Sequence, residues 1–237
     1  MYNAIQMKNH LIPIDFIQTP TDNSDTLVEL KAFWKKVLPF ILEREKHFDD
    51  VWKKGTEEEI FAELVFCIFT PQSKAVSCWT AVNNLADKNM ILNSQDTDIA
   101  KAINNVRFRN NKAKYVVQAR KLFVINNKIQ IKEKLASFKD IHKLRKWFAE
   151  TIKGIGCKEA GHFLRNIGIG KNLAILDRHI LRNLKIYGAI KEIPQTLNVK
   201  TYLEIEKQMQ NFAKKTGIPM SHLDMLFWCK NTGGIFK

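Results

Sequence analysis

The sequence predicts an all-α fold. Apolar residues recur every three to four positions along most of the chain. Capping residues stand where these runs begin, and strand-type alternation is confined to a short stretch at residues 128–132. Roughly nine or ten helices are expected from these signals. Residues 1–24, with Pro13 and Pro20, read as an extended arm on the surface. From about Asp25, the residues Leu27, Leu30, Phe33, Trp34, Val37, Leu38 and Ile41 form the apolar stripe of an amphipathic helix that Pro39 would kink.

Thr56-x-x-Glu59 is a capping box ahead of Ile60, Phe61, Leu64, Val65 and Ile68. It opens a largely buried helix that stops at Thr70-Pro71. Ser73 is expected to cap the next helix, from Lys74 to about Ala86. A polar link over 93–98 leads to a short helix at 99–104. Val106 to Lys112 reads as a basic turn with one aromatic, Phe108, and a helix follows until Asn126-Asn127 breaks it. Ser137-x-x-Asp140 would open a helix with Ile141, Leu144, Trp147, Phe148 and Ile152 on one face. Past the glycines described next, Asp177 is placed to cap a helix closed by Gly188. Thr201-x-x-Glu204 and Ser221-x-x-Asp224 would open the last helices, ending at Gly217 and before Gly233-Gly234.

The most informative stretch is Ile152-Lys153-Gly154-Ile155-Gly156-Cys157-Lys158. Helical sequence lies on both sides, so it reads as helix, hairpin, helix. Gly154 and Gly156 are free to take positive φ and to let a foreign backbone approach closely. The helix that follows turns its first N–H groups outward, an arrangement that favours a phosphate. Lys158 sits in its first turn, where the helix dipole disfavours a cation and tends to lower its pKa. That makes Lys158 a candidate nucleophile.

Composition narrows the partners. Thirty-eight Lys and Arg against twenty-four Asp and Glu give a net charge of +14, which favours a polyanion such as nucleic acid. Cys67, Cys78, Cys157 and Cys229 are scattered with no C-x-x-C pair, so neither a zinc site nor an iron–sulfur cluster is supported. No apolar run reaches membrane-spanning length, and Asn3, Gln6, Lys8, Asn9 and His10 interrupt the start. The expectation is an intracellular protein, cytoplasmic and nucleoid-associated.

A lysine two residues after a G-x-G hairpin, then an aspartate in Leu176-Asp177-Arg178-His179, resembles the helix-hairpin-helix DNA glycosylase superfamily. The run from Gly154 to Gly168 and the run Ala174 to Arg182 are similar to its second class of 8-oxoguanine DNA glycosylase/lyases, common in archaea. The close, Asn231-Thr232-Gly233-Gly234-Ile235-Phe236-Lys237, matches that class in placing a lysine shortly after a Thr-Gly pair. The resemblance covers roughly residues 56–237.

The resemblance implies a bifunctional enzyme. Lys158 would form a Schiff base with the sugar C1′, and Asp177 would stabilise the cationic sugar and help move protons. Phe108 and Trp228 would sandwich the extruded base, and Lys237 would contact its edge. Gln72 stands where relatives push a side chain into the vacated stack, while Lys153, Gly154, Gly156, Arg107 and Arg109 would hold DNA. No cofactor is expected, a monovalent cation on the hairpin carbonyls being the one ion the motif admits. The expected partner is double-stranded DNA containing 8-oxoguanine, bound by a monomer.

The same resemblance implies two helical lobes with the active-site cleft between them. One comprises residues 1–57 and 178–237; the other is a central bundle, 58–177, ending in the helix-hairpin-helix at about 144–167. Bland readings stand beside these roles. Phe108 and Trp228 also fit core aromatics, Gln72 a plain loop residue, and the 107–114 cluster a solvated face. His162 and His179, lacking metal-spaced partners, read as structural. Two rival functions remain at this point: an oxidised-pyrimidine glycosylase/lyase of the endonuclease III type, and a non-catalytic hairpin protein that only binds DNA. The sequence departs from the family in having Lys153 where proline is frequent, and in the length of segment 124–134.

Overall fold

Side-chain caps fix where most of the long helices start. The computed structural model describes residues 26–126 and 128–237, together with the backbone of Ile12–Pro13. Those two residues form strand β1; the rest of the expected N-terminal arm lies outside the described residues. Helix α1, Leu27–Lys54, starts at a reciprocal Thr26/Glu29 cap and runs through the exposed Pro39 without ending there. Helix α2, Glu57–Phe69, starts at the Thr56/Glu59 box, with bonds of 2.7 and 3.2 Å.

Helix α3, Ala75–Asp87, has no side-chain cap, which corrects the expectation for Ser73. The Ser73 hydroxyl instead accepts bonds from Arg107 N–H and the Lys112 ammonium. Helices α4, Met90–Asn93, and α5, Asp96–Ala102, follow. The polar link therefore contains a helical turn, and the short helix starts earlier than 99. Helix α6 spans Arg109–Phe123.

Strands β2, Val124–Ile125, and β3, Lys128–Ile129, form a two-residue antiparallel ribbon. Helix α7, Ile131–Ala136, comes directly after it. Its first N–H groups, of Ile131 and Lys132, donate to Glu57 at 2.6 and 2.9 Å. The long 124–134 segment is thus a ribbon and a short helix tied to the start of α2.

Helix α8, Ile141–Thr151, is capped by Asp140, while Ser137 closes α7; the start read at Ser137 moves to Asp140. Helix α9 is Cys157–Asn166, and α10, Arg178–Ile186, is capped by Asp177 as its position in sequence implied. Helix α11, Val199–Thr216, starts at Asn198 rather than Thr201, and α12, Met220–Thr232, starts after Pro219 rather than at Ser221. Strand β4, Gly234–Ile235, pairs antiparallel with β1. The protein is all-α, with twelve helices among the described residues.

Two compact units contain these elements. Asp50–Ile169 makes one, built around α2, whose residues 60–69 are all buried. A helix apolar on every side has no solvent face and must be surrounded. Here α3, α6, α7 and α9 pack on it. A run of aromatic contacts carries the core outward, from Phe61 to Phe123 at 6.1 Å, to Phe148 at 6.4 Å and to Phe163 at 5.0 Å. Helices α8 and α9 pack on each other as the two arms of the hairpin motif.

The other unit comprises α1 as far as Asp49 together with Gly170–Lys237. It holds a half-buried polar chain: Trp34 Nε1–H donates to His222 Nδ1 at 3.1 Å, and His222 Nε2 lies 3.2 Å from Glu45. The indole donor fixes Nδ1 as the acceptor, so Nε2 carries the proton toward the carboxylate. Burial pushes the Glu45 carboxyl up, but hydrogen bonds from His222 and Ser221 outweigh it and leave it below its ordinary value of 4.5. A carboxyl held low when folded adds stability above its unfolded pKa and loses it as pH falls through the folded one. Urea unfolding should therefore show the Glu45→Gln variant less stable than wild type at neutral pH. The gap should close as pH falls below 4.5; a gap that persists there would remove Glu45 from the acid response.

Candidate active site

The hairpin begins with a turn closed by Ile155 N–H donating to Ile152 O at 3.2 Å. Lys153 and Gly154 occupy its corner, and Gly154 has φ +82, the value a type II turn demands at that position. A Cβ there would lie 2.6 Å from the Tyr115 ring. Gly154 is thus fixed twice, by its dihedral and by the α6 aromatic beneath it. Gly156 is different: at φ −106 it is ordinary extended backbone, so the positive φ foreseen for both glycines holds for Gly154 alone.

Glu159 is the residue that organises the start of α9. One of its oxygens accepts the Gly156 N–H at 3.3 Å; the other lies 3.0 Å from the Lys158 ammonium. This is the return half of a capping box, with glycine in place of the usual hydroxyl residue. Lys158 is 31% exposed and reaches solvent beside the hairpin's outward N–H groups. Lys153, Gly154 and Gly156 are all exposed.

A second cluster forms around Lys112. Its ammonium donates to Phe69 O and Pro71 O, both at 2.7 Å, and to Ser73 Oγ at 3.0 Å. Burial lowers its pKa from the ordinary lysine value, with Cys78 and Glu159 opposing and Arg107 reinforcing the shift. The turn it holds, closed by Ser73 N–H to Thr70 O, presents exposed Gln72 at φ 56. Phe108, at φ 58, is 56% exposed, and the Arg107 guanidinium lies 5.8 Å from its ring centroid. Left-handed backbone in a non-glycine residue costs on the order of 1–3 kcal/mol, so two such residues require external support. The Arg107 N–H bond to Ser73 joins the two loops. Gln72, Arg107 and Phe108 are thereby brought together, with exposed Arg109 following directly.

In the other unit, residues 174–176 lead into Asp177, whose N–H donates to Ile175 O at 2.9 Å in a tight turn. Ala174 N–H donates to Glu206, and the Tyr202 hydroxyl bridges Ala174 O and Leu176 N–H. Asp177 Oδ1 accepts both His179 N–H and Ile180 N–H at 2.8 Å, leaving Oδ2 without a bond among the described residues. Trp228, half-buried on α12, lies 6.4 Å from Phe236 between ring centroids. Lys237, beside Phe236, is 7% exposed. His162 packs edge-on against Phe66 at 5.5 Å, in keeping with its structural reading.

Sequence reading passed over Glu159, Tyr115 and Lys112. Glu159 carried a findable signal, since it stands three residues after Gly156 at capping-box spacing. Lys112 carried none: within a basic cluster it reads as solvated, yet it is 4% exposed. Among the described residues no group of His, Cys, Asp and Glu is arranged to hold a metal ion. No described helix is long and apolar enough to cross a membrane.

A family model described as 8-oxoguanine DNA glycosylase matches residues 41–218. The 8-oxoguanine DNA glycosylase/AP lyase of Fusobacterium nucleatum is 43% identical, over 88% of this chain and 96% of its own. The one from Korarchaeum cryptofilum is 35% identical over 81% and 90%. Among solved structures, the Methanocaldococcus jannaschii 8-oxoguanine glycosylase/lyase in complex with a 15mer DNA containing 8-oxoguanine gives a TM-score of 0.80 at 32% identity. It covers 89% of this chain and 99% of that one.

The two glycines should respond differently to substitution. Gly154→Ala meets both the Tyr115 ring and the positive φ, and should lower stability by about 1 kcal/mol or more and weaken duplex binding. Gly156→Ala meets only Glu159 Oε2, at 3.3 Å, and should cost less. Denaturant titration and fluorescence anisotropy of both variants check the order.

Proposed function

This chain belongs to the 8-oxoguanine DNA glycosylase family, and from that membership we propose that it excises 8-oxoguanine from double-stranded DNA and cleaves the resulting abasic site as a lyase. The observation that carries the reading is Lys158, a partly exposed amine in the first turn of the helix that follows the exposed G-x-G hairpin. As the neutral amine, Nζ attacks C1′ of the damaged nucleotide. The C1′–N bond to the base breaks and its electron pair leaves with the base, which takes up a proton. Opening of the sugar ring gives an iminium between Nζ and C1′. Loss of a C2′ proton then expels the 3′ phosphate and nicks the strand.

Asp177 serves the cationic stages. Its Oδ1 is committed to the α10 cap, and Oδ2 is available to face the developing positive charge and relay a proton. Phe108 and Trp228 offer aromatic faces for the extruded base. Lys237 contacts the edge of that base, where the N7–H that 8-oxoguanine has and guanine lacks is read. Lys153, Arg107 and Arg109, all exposed, contact phosphates. Lys158 supplies the nucleophile and Asp177 the proton relay, the remaining electron pairs being those of the substrate bonds that break, so the scheme draws on no cofactor; a monovalent cation on the hairpin carbonyls would add only to phosphate binding. The enzyme acts as a monomer inside the cell.

Borohydride should trap a covalent complex between wild type and an 8-oxoguanine duplex, and Lys158→Gln should abolish it. Trapping that survives in Lys158→Gln assigns the nucleophile elsewhere. Asp177→Asn should retain the fold and lose about a hundredfold or more in single-turnover excision. Deleting Lys237 should depress excision of 8-oxoguanine while leaving cleavage of a preformed abasic duplex intact. Preferred cleavage of thymine glycol would turn the reading toward oxidised pyrimidines, and binding without nicking would remove the catalytic reading.

A further inference from the structure

Helix α6 presents Lys112 and Tyr115, three residues apart and so on one face, to two different loops. Tyr115 backs the hairpin; Lys112 backs the Gln72 turn. All three protons of the Lys112 ammonium have acceptors, on Phe69, Pro71 and Ser73, so none remains for a phosphate. A buried ammonium is costly unless it organises something, since an apolar side chain would fill the same space without desolvation. Around this one stand two exposed residues in left-handed conformation, Gln72 and Phe108. The Ser73 hydroxyl is common to both, accepting from Lys112 on one side and from the Arg107 N–H on the other.

We propose that Lys112 is a positioning residue for nucleotide extrusion, holding the Gln72 turn in the conformation that enters the base stack and, through Ser73, the Phe108 loop in the one that receives the base. Gln72 fills the gap left by the extruded nucleotide, and Phe108 receives the base. Neither needs to reorder when DNA arrives, because the clamp has already fixed both backbones. The proposal rests on the glycosylase reading above. It differs from a phosphate-binding role, in which Lys112 would contact DNA directly.

Lys112→Met and Ser73→Ala test it, the second being the milder change should the first fail to fold. Single-turnover excision is measured with 8-oxoguanine opposite cytosine and opposite an abasic analogue, where no pairing opposes extrusion. Both variants should lose about tenfold or more on the paired lesion and less than about threefold on the unpaired one, because unpairing is the step impaired. The fluorescence rise of 2-aminopurine placed beside the lesion should slow in parallel. Equal losses on the two duplexes, or unchanged excision from the paired one by Ser73→Ala, overturn the proposal. Lyase action on a preformed abasic duplex is the separate check on the function. If wild type shows neither excision nor lyase action, the glycosylase reading itself falls, and this proposal with it.

Discussion

The absence of a side chain at Gly154 is the constraint on which the hairpin of unit Asp50–Ile169 depends. The Tyr115 ring occupies the space a Cβ would need, so the hairpin rests directly on α6. With the corner fixed, α8 and α9 leave it in set directions, and Lys158 follows two residues after Gly156 in the first turn of α9. The same helix carries Lys112 under the Gln72 turn and begins at Phe108. One helix therefore positions three DNA-facing candidates, the hairpin, Gln72 and Phe108. All three are tied to one scaffold through side chains on α6 rather than through their own sequences.

The acidic residues explain how so basic a chain holds together. Several of them accept hydrogen bonds from backbone N–H groups. Glu59, Asp140, Glu159 and Asp177 serve the starts of α2, α8, α9 and α10; Glu57 serves α7, and Glu206 the segment before Asp177. A carboxylate at a helix start satisfies an otherwise unpaired donor and complements the dipole. Lys153, Arg107 and Arg109 stand exposed at the surface. The net charge of +14 favours a polyanion, while the minority sign serves the helix starts. Lys112 is the exception that fits: a cation turned inward onto carbonyls, the acceptors that carboxylates cannot serve.

The sequence by itself determined whatever is encoded within one helical turn. The all-α class, the Thr56/Glu59 box, the Asp177 cap and the hairpin all rest on contacts between residues three or four apart, and spacing alone reveals these. Its resemblance to the 8-oxoguanine glycosylase/lyases held as well, since the motif around Lys158 and Asp177 is local in each part. Only the tertiary structure decided the rest. Ser73, Ser137 and Ser221 show the same local signature as true caps, yet none of them starts a helix. The Ser73 hydroxyl is claimed by Arg107 and Lys112, thirty-four and thirty-nine residues away, and no local pattern announces such a claim. Nor does any pattern distinguish a buried lysine from its solvated neighbours. Burial depends on which loops the fold lays over that position, and that is settled when distant elements pack, not when helices form.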